Sequence, residues 1–429
     1  MKRVRVGIVG FGTVGRATAD IISKHADLIE QRSGIRLEIT VVCRRSAIAR
    51  EHVPPGAKAV TDWKQLLADP HVDVVVETMG GTGASRELLR ASLEQGKPVV
   101  TANKNLLAEH GDELFSLAAA HNLPIGFEAS VAGGIPILRV IHESTAGDQL
   151  RSVHGILNGT ANYILTQMET RGIEFDQALN EAQQAGFAEA DPSFDIDGQD
   201  ARDKLCILAR MAFEGRLSVS KIPTFGIRHV RAIDIHSATR LDSTIRLVGS
   251  AEQTENGLEV AVRPWLVSRR SMLAKVEGVN NAVFLVGDKI GTQMFYGRGA
   301  GGDATGSAVV SDLIEISRDL AAGQLSAKNI SGFLNSHQLE LCSNPRPVAW
   351  YLRLTVKDQR GIVARVAEVI AREAINIDSL EQEPHLPKDR VSFVITVEPV
   401  SEPVIRRAVD TINAFDFMVE PVLLLRIEE

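Results

Sequence analysis

Between residues 186 and 205 the chain reads GFAEADPSFDIDGQDARDKL, crowding Glu189, Asp191, Asp195, Asp197, Asp200, Asp203 and Lys204 between Gly186, Pro192 and Gly198. Asp200 and Lys204 are four residues apart, so on a helix they share one face. An exposed pair of this kind is ordinarily a surface salt bridge worth under ~1 kcal/mol. Here the chain continues apolar through Leu205, Leu208, Ala209 and Ala212, so the helix is expected to pack while its acids gather at the N-terminal approach. A partly buried lysine among carboxylates is equipped to exchange a proton with a substrate hydroxyl. A calcium loop is the competing use of so many acids, but its ligand spacing and closing Glu are missing. A second lysine, Lys104, ends the run TANK at 101–104. Alone it reads as a surface lysine opening a helix; at the end of a sheet strand it reaches whatever is bound there.

The run GFGTVG at 10–15 follows the strand-like Val4–Val9 and opens a helix-like segment. Gly10 allows the tight turn, Gly12 lets the backbone approach a pyrophosphate, and Gly15 permits close helix–strand packing. The helix N-terminus aims its unpaired N–H groups and positive dipole end at the phosphates. The placement therefore points to a nicotinamide dinucleotide. The second strand ends Val42-Cys43-Arg44-Arg45-Ser46. An NAD site usually carries an acid here for the ribose 2′-hydroxyl, whereas Arg44 and Arg45 suit a 2′-phosphate, which favours NADP and leaves NAD open.

These residues need a scaffold, and the first 130 residues describe one. Strand-like runs at Val4–Val9, Leu37–Val42, Val72–Glu77, Pro98–Thr101 and Pro124–Glu128 alternate with helical periodicity at Gly12–Ile22, Arg86–Gln95 and Leu106–His121. Such alternation predicts an α/β fold with a doubly wound parallel sheet whose ligand lies at the carboxyl ends of the strands. From 131 the Gly-rich VAGGIP leads into a mixed α/β domain over 131–343, with strands expected at Val153–Leu157, Leu258–Val262 and Ala282–Val286. The loop-to-helix stretch GRGAGGDATGSAVVSDL (297–313) is expected to return the chain to the first domain, with the return segment spanning about 297–340. After the linker Asn344-Pro345-Arg346-Pro347, residues 348–429 spell a βαββαβ module: strands Trp350–Val356, Ile377–Glu383, Val391–Val397 and Val419–Ile427, helices Gly361–Glu373 and Pro403–Asn413.

The composition supports this reading and excludes others. In 429 residues, 44% are apolar and 24% charged, with net charge −7 and no like-charge block, so neither nucleic acid nor an anionic membrane is an expected partner. No apolar run is long enough to span a bilayer, and the start MKRVRVGIVG lacks a signal peptide's apolar region. Cys43, Cys206 and Cys342 form neither a disulfide framework nor a metal knuckle. A cytoplasmic, reduced chain is expected.

The motifs GFGTVG (10–15), VVVETMGG (74–81), TANK (101–104), FEASVAGGIP (127–136), GILNGTANYIL (155–165) and AEADPSFDIDGQDARDKL (188–205), in this order, make the chain resemble the homoserine dehydrogenases. The resemblance covers the whole chain, with no sign of a fused kinase, and implies NAD(P)-dependent interconversion of L-homoserine and L-aspartate 4-semialdehyde. It implies Lys204 as proton donor and acceptor, Lys104 assisting near substrate and nicotinamide, and Glu189 and Asp200 holding the substrate. Cofactor contacts carry over to Phe11, Thr13, Val14, Arg44, Thr78, Lys104, Gly186 and Gly302. It further implies a monovalent cation, sodium, on the main-chain carbonyls of Glu128, Val131, Gly133 and Ile135. No cysteine pairing suggests the thiol nucleophile that a phosphorylating semialdehyde dehydrogenase needs.

Residues 350–429 resemble an ACT domain, through the loop Asp358-Gln359-Arg360-Gly361-Ile362 and INIDSL at 375–380. The resemblance implies an amino-acid effector, with threonine the leading candidate, and edge-to-edge pairing into at least a homodimer, a homotetramer also being open. A module that only dimerises is the competing reading, as a related semialdehyde or hydroxy-acid reductase and a silent amino-acid sensor are for the whole chain.

Overall fold

The computed structural model describes residues 2–46, 48–327, 330–382 and 389–428. The chain divides into two compact units, one of residues 1–153, 202–222 and 280–339, the other of residues 154–201, 223–279 and 340–429. These units cut across boundaries drawn at 130 and 343. Segment 131–153 and the return segment belong with the first sheet, while the βαββαβ module shares the second unit because its last strand is hydrogen-bonded there.

The first unit holds a parallel six-stranded sheet of β1 (Lys2–Val9), β2 (Ile35–Cys43), β3 (Lys58–Val60), β4 (Val74–Glu77), β5 (Val99–Thr101) and β6 (Ile125–Gly126), in the order β3-β2-β1-β4-β5-β6. Apart from Gly7 and the closing Glu77, the buried positions of its central strands β1 and β4 are Val and Ile, as a sheet covered on both faces requires. The order reverses between β1 and β4, and that reversal opens a crevice at their carboxyl ends. Helices Thr13–Lys24 and Gly302–Ala322 lie together over the sheet, burying Ile22, Val309, Leu313 and Ile316 against Val6, Ile8 and Val76. Each such buried side chain contributes about 1.5–3 kcal/mol. Gly306 permits the close approach, since a Cβ there would sit 3.0 Å from the Thr18 backbone nitrogen. The return of the chain at 302–322 is thus a packing fact.

Two expectations are trimmed. The run Pro124–Glu128 is strand only at Ile125–Gly126, because Glu128–Ser130 coils into a 3₁₀ turn. The run 419–427 pairs only from Leu423, and Glu383 lies outside the described residues. The sequence reading also passes over β3, too short to show alternation.

Strand β7 (Leu150–Ile156) precedes a long hairpin in the second unit, β8 (Ser243–Thr254) with β9 (Gly257–Ser268). The first unit carries a shorter one, β10 (Asn280–Gly287) with β11 (Gly291–Arg298). The module contributes β12 (Val348–Val356), β13 (Ile377–Gln382), β14 (Val391–Val400) and β15 (Leu423–Ile427), ordered β15-β12-β14-β13. Helices Ile362–Arg372 and Glu402–Asn413 bury Val366, Ile370, Ile405 and Ile412 against Leu352, Leu354, Phe393 and Ile395 of this sheet. Its outer strand β15 runs parallel to β9, pairing Arg426 with Trp265. A second tie is ionic: on β12 the fully buried Arg353 donates from Nε to Asp234 at 2.9 Å, and Tyr351 donates its hydroxyl to the same carboxylate at 2.8 Å.

On β7, burial and then the nearby Arg426 charge push the His154 imidazole down to about 4, against its ordinary 6.5. The fold therefore holds it neutral while the unfolded chain takes a proton below pH 6.5. Its contribution is whole above 6.5, falls with pH, and is spent near pH 4, a loss of about 3 kcal/mol. Substituting His154→Gln is expected to flatten urea-denaturation stability between pH 6.5 and 4; an unchanged acid slope refutes the assignment.

Candidate active site

The Gly-rich turn sits where β1 ends. Gly10 and Phe11 both donate their backbone N–H to the Cys43 carbonyl, at 3.0 and 3.2 Å, folding the turn over the end of β2. Gly10 has φ of 100°, and a Cβ there would lie 2.3 Å from the Thr78 carbonyl carbon. Thr78 Oγ1 donates to the Gly10 carbonyl at 2.7 Å, locking the turn to the end of β4. A Cβ at Gly15 would meet the Gly10 oxygen at 2.5 Å, whereas one at Gly12 meets nothing within 4 Å. Gly10 and Gly15 therefore serve packing, and Gly12 leaves the approach to the helix N-terminus open for phosphate. A cleft of about 580 Å³ opens beside it, lined by Phe11, Thr13, Arg16, Gly302 and the 51–55 loop. Phe11 is 1% exposed and part of the core, so its backbone rather than its ring is what a ligand meets. Arg44 leaves the end of β2 half-buried and Arg45 is exposed.

At the next strand ends a single carboxylate organises the turn that precedes Lys104. Glu77, with no exposed surface, closes β4. Its Oε1 accepts from the Met79 N–H at 2.7 Å, the Gly80 N–H at 3.2 Å and the Ser85 hydroxyl at 3.2 Å. Its Oε2 accepts from the Thr101 hydroxyl at 2.6 Å. Burial outweighs these donors and holds its titration above the usual carboxylate range. Thr101 Oγ1 in turn accepts the Asn103 N–H at 3.0 Å, and Asn103 caps helix Lys104–Ala120 by accepting from Leu106 N–H at 3.1 Å. Lys104 thus starts a helix whose origin is fixed to the ends of β4 and β5.

Lys204 is 7% exposed and Asp203 2% on helix Gln199–Phe213. Asn105, next to Lys104, donates to Asp203 Oδ2 at 2.7 Å, tying the two lysine-bearing segments together. A second tie lies two turns on, where Arg210 donates to Asp112. Arg210 also bonds the Gly332 carbonyl at 3.2 Å and covers the Phe333 ring. These contacts all belong to the first unit, which brings together Gly10–Gly15, Thr78, Lys104, Lys204 and Gly302.

In the second unit, Asn158 caps helix Gly159–Arg171 by accepting from Ala161 N–H at 2.7 Å. Its amide nitrogen donates to Asp200 Oδ2 and Asp195 Oδ1, both at 2.7 Å. Asp200 is buried, Glu189 exposed in the 187–192 turn, and Gly186 takes φ of 75° to leave helix Phe175–Gln184. The Glu189 carbonyl is held by Gln183 Nε2 at 3.0 Å. Sequence reasoning gives no role to Glu77 or Asn158, and names Asp203 only as one member of the acid cluster. Glu77 had a signal, a charge closing an apolar strand; Asn158 had only an N-cap signature, which does not announce a carboxylate partner.

The turn 128–135 was expected to offer carbonyls to a cation. Ala132 and Gly133 turn through φ of 52° and 30°, so the chain doubles back on itself. The Glu128 oxygen accepts Val131 N–H at 3.4 Å and that of Ile135 accepts Ile137 N–H at 2.8 Å. A carbonyl has a second lone pair, so this donor set remains compatible with sodium. Gly133 and Gly134 have a local explanation too: a Cβ on either would come within about 3 Å of the 298–299 backbone. The Glu128 side chain is committed to the Leu138 and Arg139 N–H groups, at 2.9 and 2.8 Å.

A Gly-rich turn at the reversal of a doubly wound sheet, with two buried-side lysines nearby, defines a dinucleotide-dependent oxidoreductase. Family models described as homoserine dehydrogenase, its NAD-binding domain and ACT domain match residues 136–314, 10–128 and 350–417. A homoserine dehydrogenase of Neisseria gonorrhoeae is 38% identical over the whole chain and 99% of its own length. The crystal structure of one from Thiobacillus denitrificans superposes with TM-score 0.91 at 36% identity, covering all of this chain and 99% of that one. A hyperthermophilic archaeal homoserine dehydrogenase in complex with NADPH matches 73% of this chain and 98% of its own, with TM-score 0.61 and 30% identity. The chain belongs to the homoserine dehydrogenase family. It is an NAD(P)-dependent oxidoreductase acting on a CH–OH group, and it serves the biosynthesis of the aspartate-family amino acids.

Replacing Glu77 by Ala strands four donors at the strand ends and is expected to cost about 3 kcal/mol. Thr101→Val, removing one, is expected to cost about 1 kcal/mol. Urea denaturation measures both; equal losses would refute the hub role of Glu77.

Proposed function

We propose that L-aspartate 4-semialdehyde and L-homoserine are interconverted with Lys204 as the proton donor and acceptor at the reacting oxygen. The burial of Lys204 on helix Gln199–Phe213, beside the anchored Asp203, carries this reading. When bound, the nicotinamide supplies or accepts the hydride. In the reducing direction the Lys204 ammonium gives its proton to the aldehyde oxygen as charge builds there; in the oxidising direction the amine takes the hydroxyl proton. Lys104 assists at substrate and nicotinamide from its fixed helix start. Glu189 and Asp200 hold the substrate ammonium and hydroxyl side, and Asn158 positions Asp200.

The cofactor contacts fall to Gly10, Phe11, Gly12, Thr13, Val14, Gly15, Arg44, Thr78, Lys104, Gly186 and Gly302. NADP is preferred, through Arg44 at the end of β2 with Arg45 beside it, and NAD is used less well. Sodium is held by the carbonyls of Glu128, Val131, Gly133 and Ile135. Threonine acts through the 358–362 loop, where a cavity of about 150 Å³ is lined by Asp358, Gly361 and Ile362. The molecule is a homodimer or homotetramer joined along β13, the sheet's last strand, whose Ile377 and Leu380 are 36% and 40% exposed. It works in the cytoplasm; among the described residues no helix is long and apolar enough to cross a membrane.

One assay tests the chemistry. NADPH oxidation with aspartate semialdehyde is expected to fall at least about 100-fold in kcat for Lys204→Ala, with NADPH affinity within about threefold of the parent. Near-normal turnover removes Lys204 from the mechanism. In the same assay the KM for NADH is expected to exceed that for NADPH, and Arg44→Ala to narrow the gap. Millimolar L-threonine is expected to inhibit, and unchanged rates assign the module to assembly alone.

A further inference from the structure

Away from the proposed site, the second unit encloses a cavity of about 110 Å³ where β9 meets the strands and linker of the βαββαβ module. Its wall includes three arginines, Arg263, Arg346 and Arg426, two acids, Glu259 and Glu402, and Cys342. Two of the arginines are matched. Arg263 donates to Glu402 at 2.8 Å, and Arg346 lies 3.2 Å from Glu252 while its backbone N–H donates to Glu259 at 2.6 Å. Arg426 is not. Among the described residues no carboxylate lies within 4.0 Å of its guanidinium, and its buried Nε has no hydrogen-bond partner. It stacks 4.4 Å from the centre of the Trp265 ring, which covers one face of the guanidinium and leaves its edge open to an acceptor. Burial, with Arg346 and Arg263 nearby, lowers its titration to about 10, well below an ordinary arginine.

A half-buried guanidinium with an orphaned buried Nε, and with Glu252 and Glu259 acting on it only from beyond ion-pair distance, has hydrogen-bonding capacity left for another acceptor. A guanidinium edge selects a carboxylate or phosphate, which it grips through two parallel hydrogen bonds. The two acids decide between them. A phosphate dianion would be repelled by Glu259 and Glu402, whereas a zwitterion has an ammonium for them, and Glu259 keeps acceptor capacity beyond its one backbone bond. Size agrees: at roughly 15 Å³ per water centre, 110 Å³ holds about seven waters, the bulk of one small amino acid.

We propose that this cavity is a second amino-acid site, in which the carboxylate of a small α-amino acid is held by Arg426 and its ammonium faces Glu259. It uses none of residues 358–362, and its wall joins β15 and the linker of the module to the β8–β9 hairpin. Occupancy here would therefore bear directly on the strands that attach the module.

Cys342 supplies the readout. Burial pushes the Cys43 and Cys206 thiols up to about 11 and about 12, while Cys342 is half-buried on the cavity wall, so alkylation of the folded full chain by iodoacetamide is expected to fall on Cys342. The proteinogenic L-amino acids other than cysteine, whose thiol would consume the reagent, are compared at 10 mM with propionate and inorganic phosphate. At least one small amino acid is expected to slow labelling fivefold or more, with propionate weaker and phosphate inert. Protection is expected to weaken at least tenfold in Arg426→Gln and to persist in Asp358→Ala. Arg426→Lys keeps the charge and stem but not the fork, and is expected to fall between parent and Gln should the Gln variant fold poorly. Absence of protection by every amino acid overturns the proposal, as does protection by phosphate alone, or protection lost in Asp358→Ala but kept in both Arg426 variants.

Discussion

The carboxyl end of the parallel sheet depends on one fully buried carboxylate. Glu77 accepts from two backbone N–H groups of the turn it begins, from Ser85 in the helix that follows, and from Thr101 on the neighbouring strand. Without such an acceptor the 79–81 turn would present orphaned donors at the place where β4 and β5 stop. Because Thr101 also sets Asn103, the cap of the helix that begins at Lys104, the same group determines where a lysine stands. The interaction is local in space yet joins residues separated by up to 24 positions. It converts loose strand ends into a rigid edge, which positioning of a reacting group requires.

Helix Gln199–Phe213 extends that logic. Its Asp203 and Arg210 bind Asn105 and Asp112, two contacts about two helical turns apart on the facing helix. One contact would permit rotation about itself; two along the axis remove that freedom. Phe333, pressed against Gly111 and under Arg210, fills the space behind. The polar clamp and the apolar wedge together fix the helix that carries the buried Lys204.

Much of this was legible in the residues. Period and composition alone announced the doubly wound sheet, because strands rich in Val and Ile that alternate with helices and glycine turns have few other uses. GFGTVG announced its ligand turn for the same reason: the glycines are forced by contacts between backbones, and such contacts leave a mark in sequence. The acids around Asp200 were visible as a cluster, but their partners were not. Asn158 reaches Asp200 across 42 positions, and nothing in the spacing of either predicts it. Main-chain carbonyls such as those of the 128–135 turn write nothing into the sequence, and only the resemblance raised them as a cation's partners. The division into compact units was hidden likewise, since the parallel pairing of β15 with β9 joins segments more than 150 positions apart.

That pairing has a bearing on how the chain is made. Strand β9 emerges during synthesis well before β15, so the end of its edge at Trp265 and Leu266 waits bare until the C-terminal strand has arrived to cover it, although residues 223–225 and 340–342 bond the rest of that edge. A bare hydrogen-bonding edge beside Trp265 and Leu266 is a template for the wrong strand. Contacts of such long sequence separation also form late. The C-terminal module is thereby more than an appendage of the second unit: its final strand is the protective cover for a stretch of neighbour born long before it, and a nascent chain remains vulnerable to mispairing there until that cover is in place.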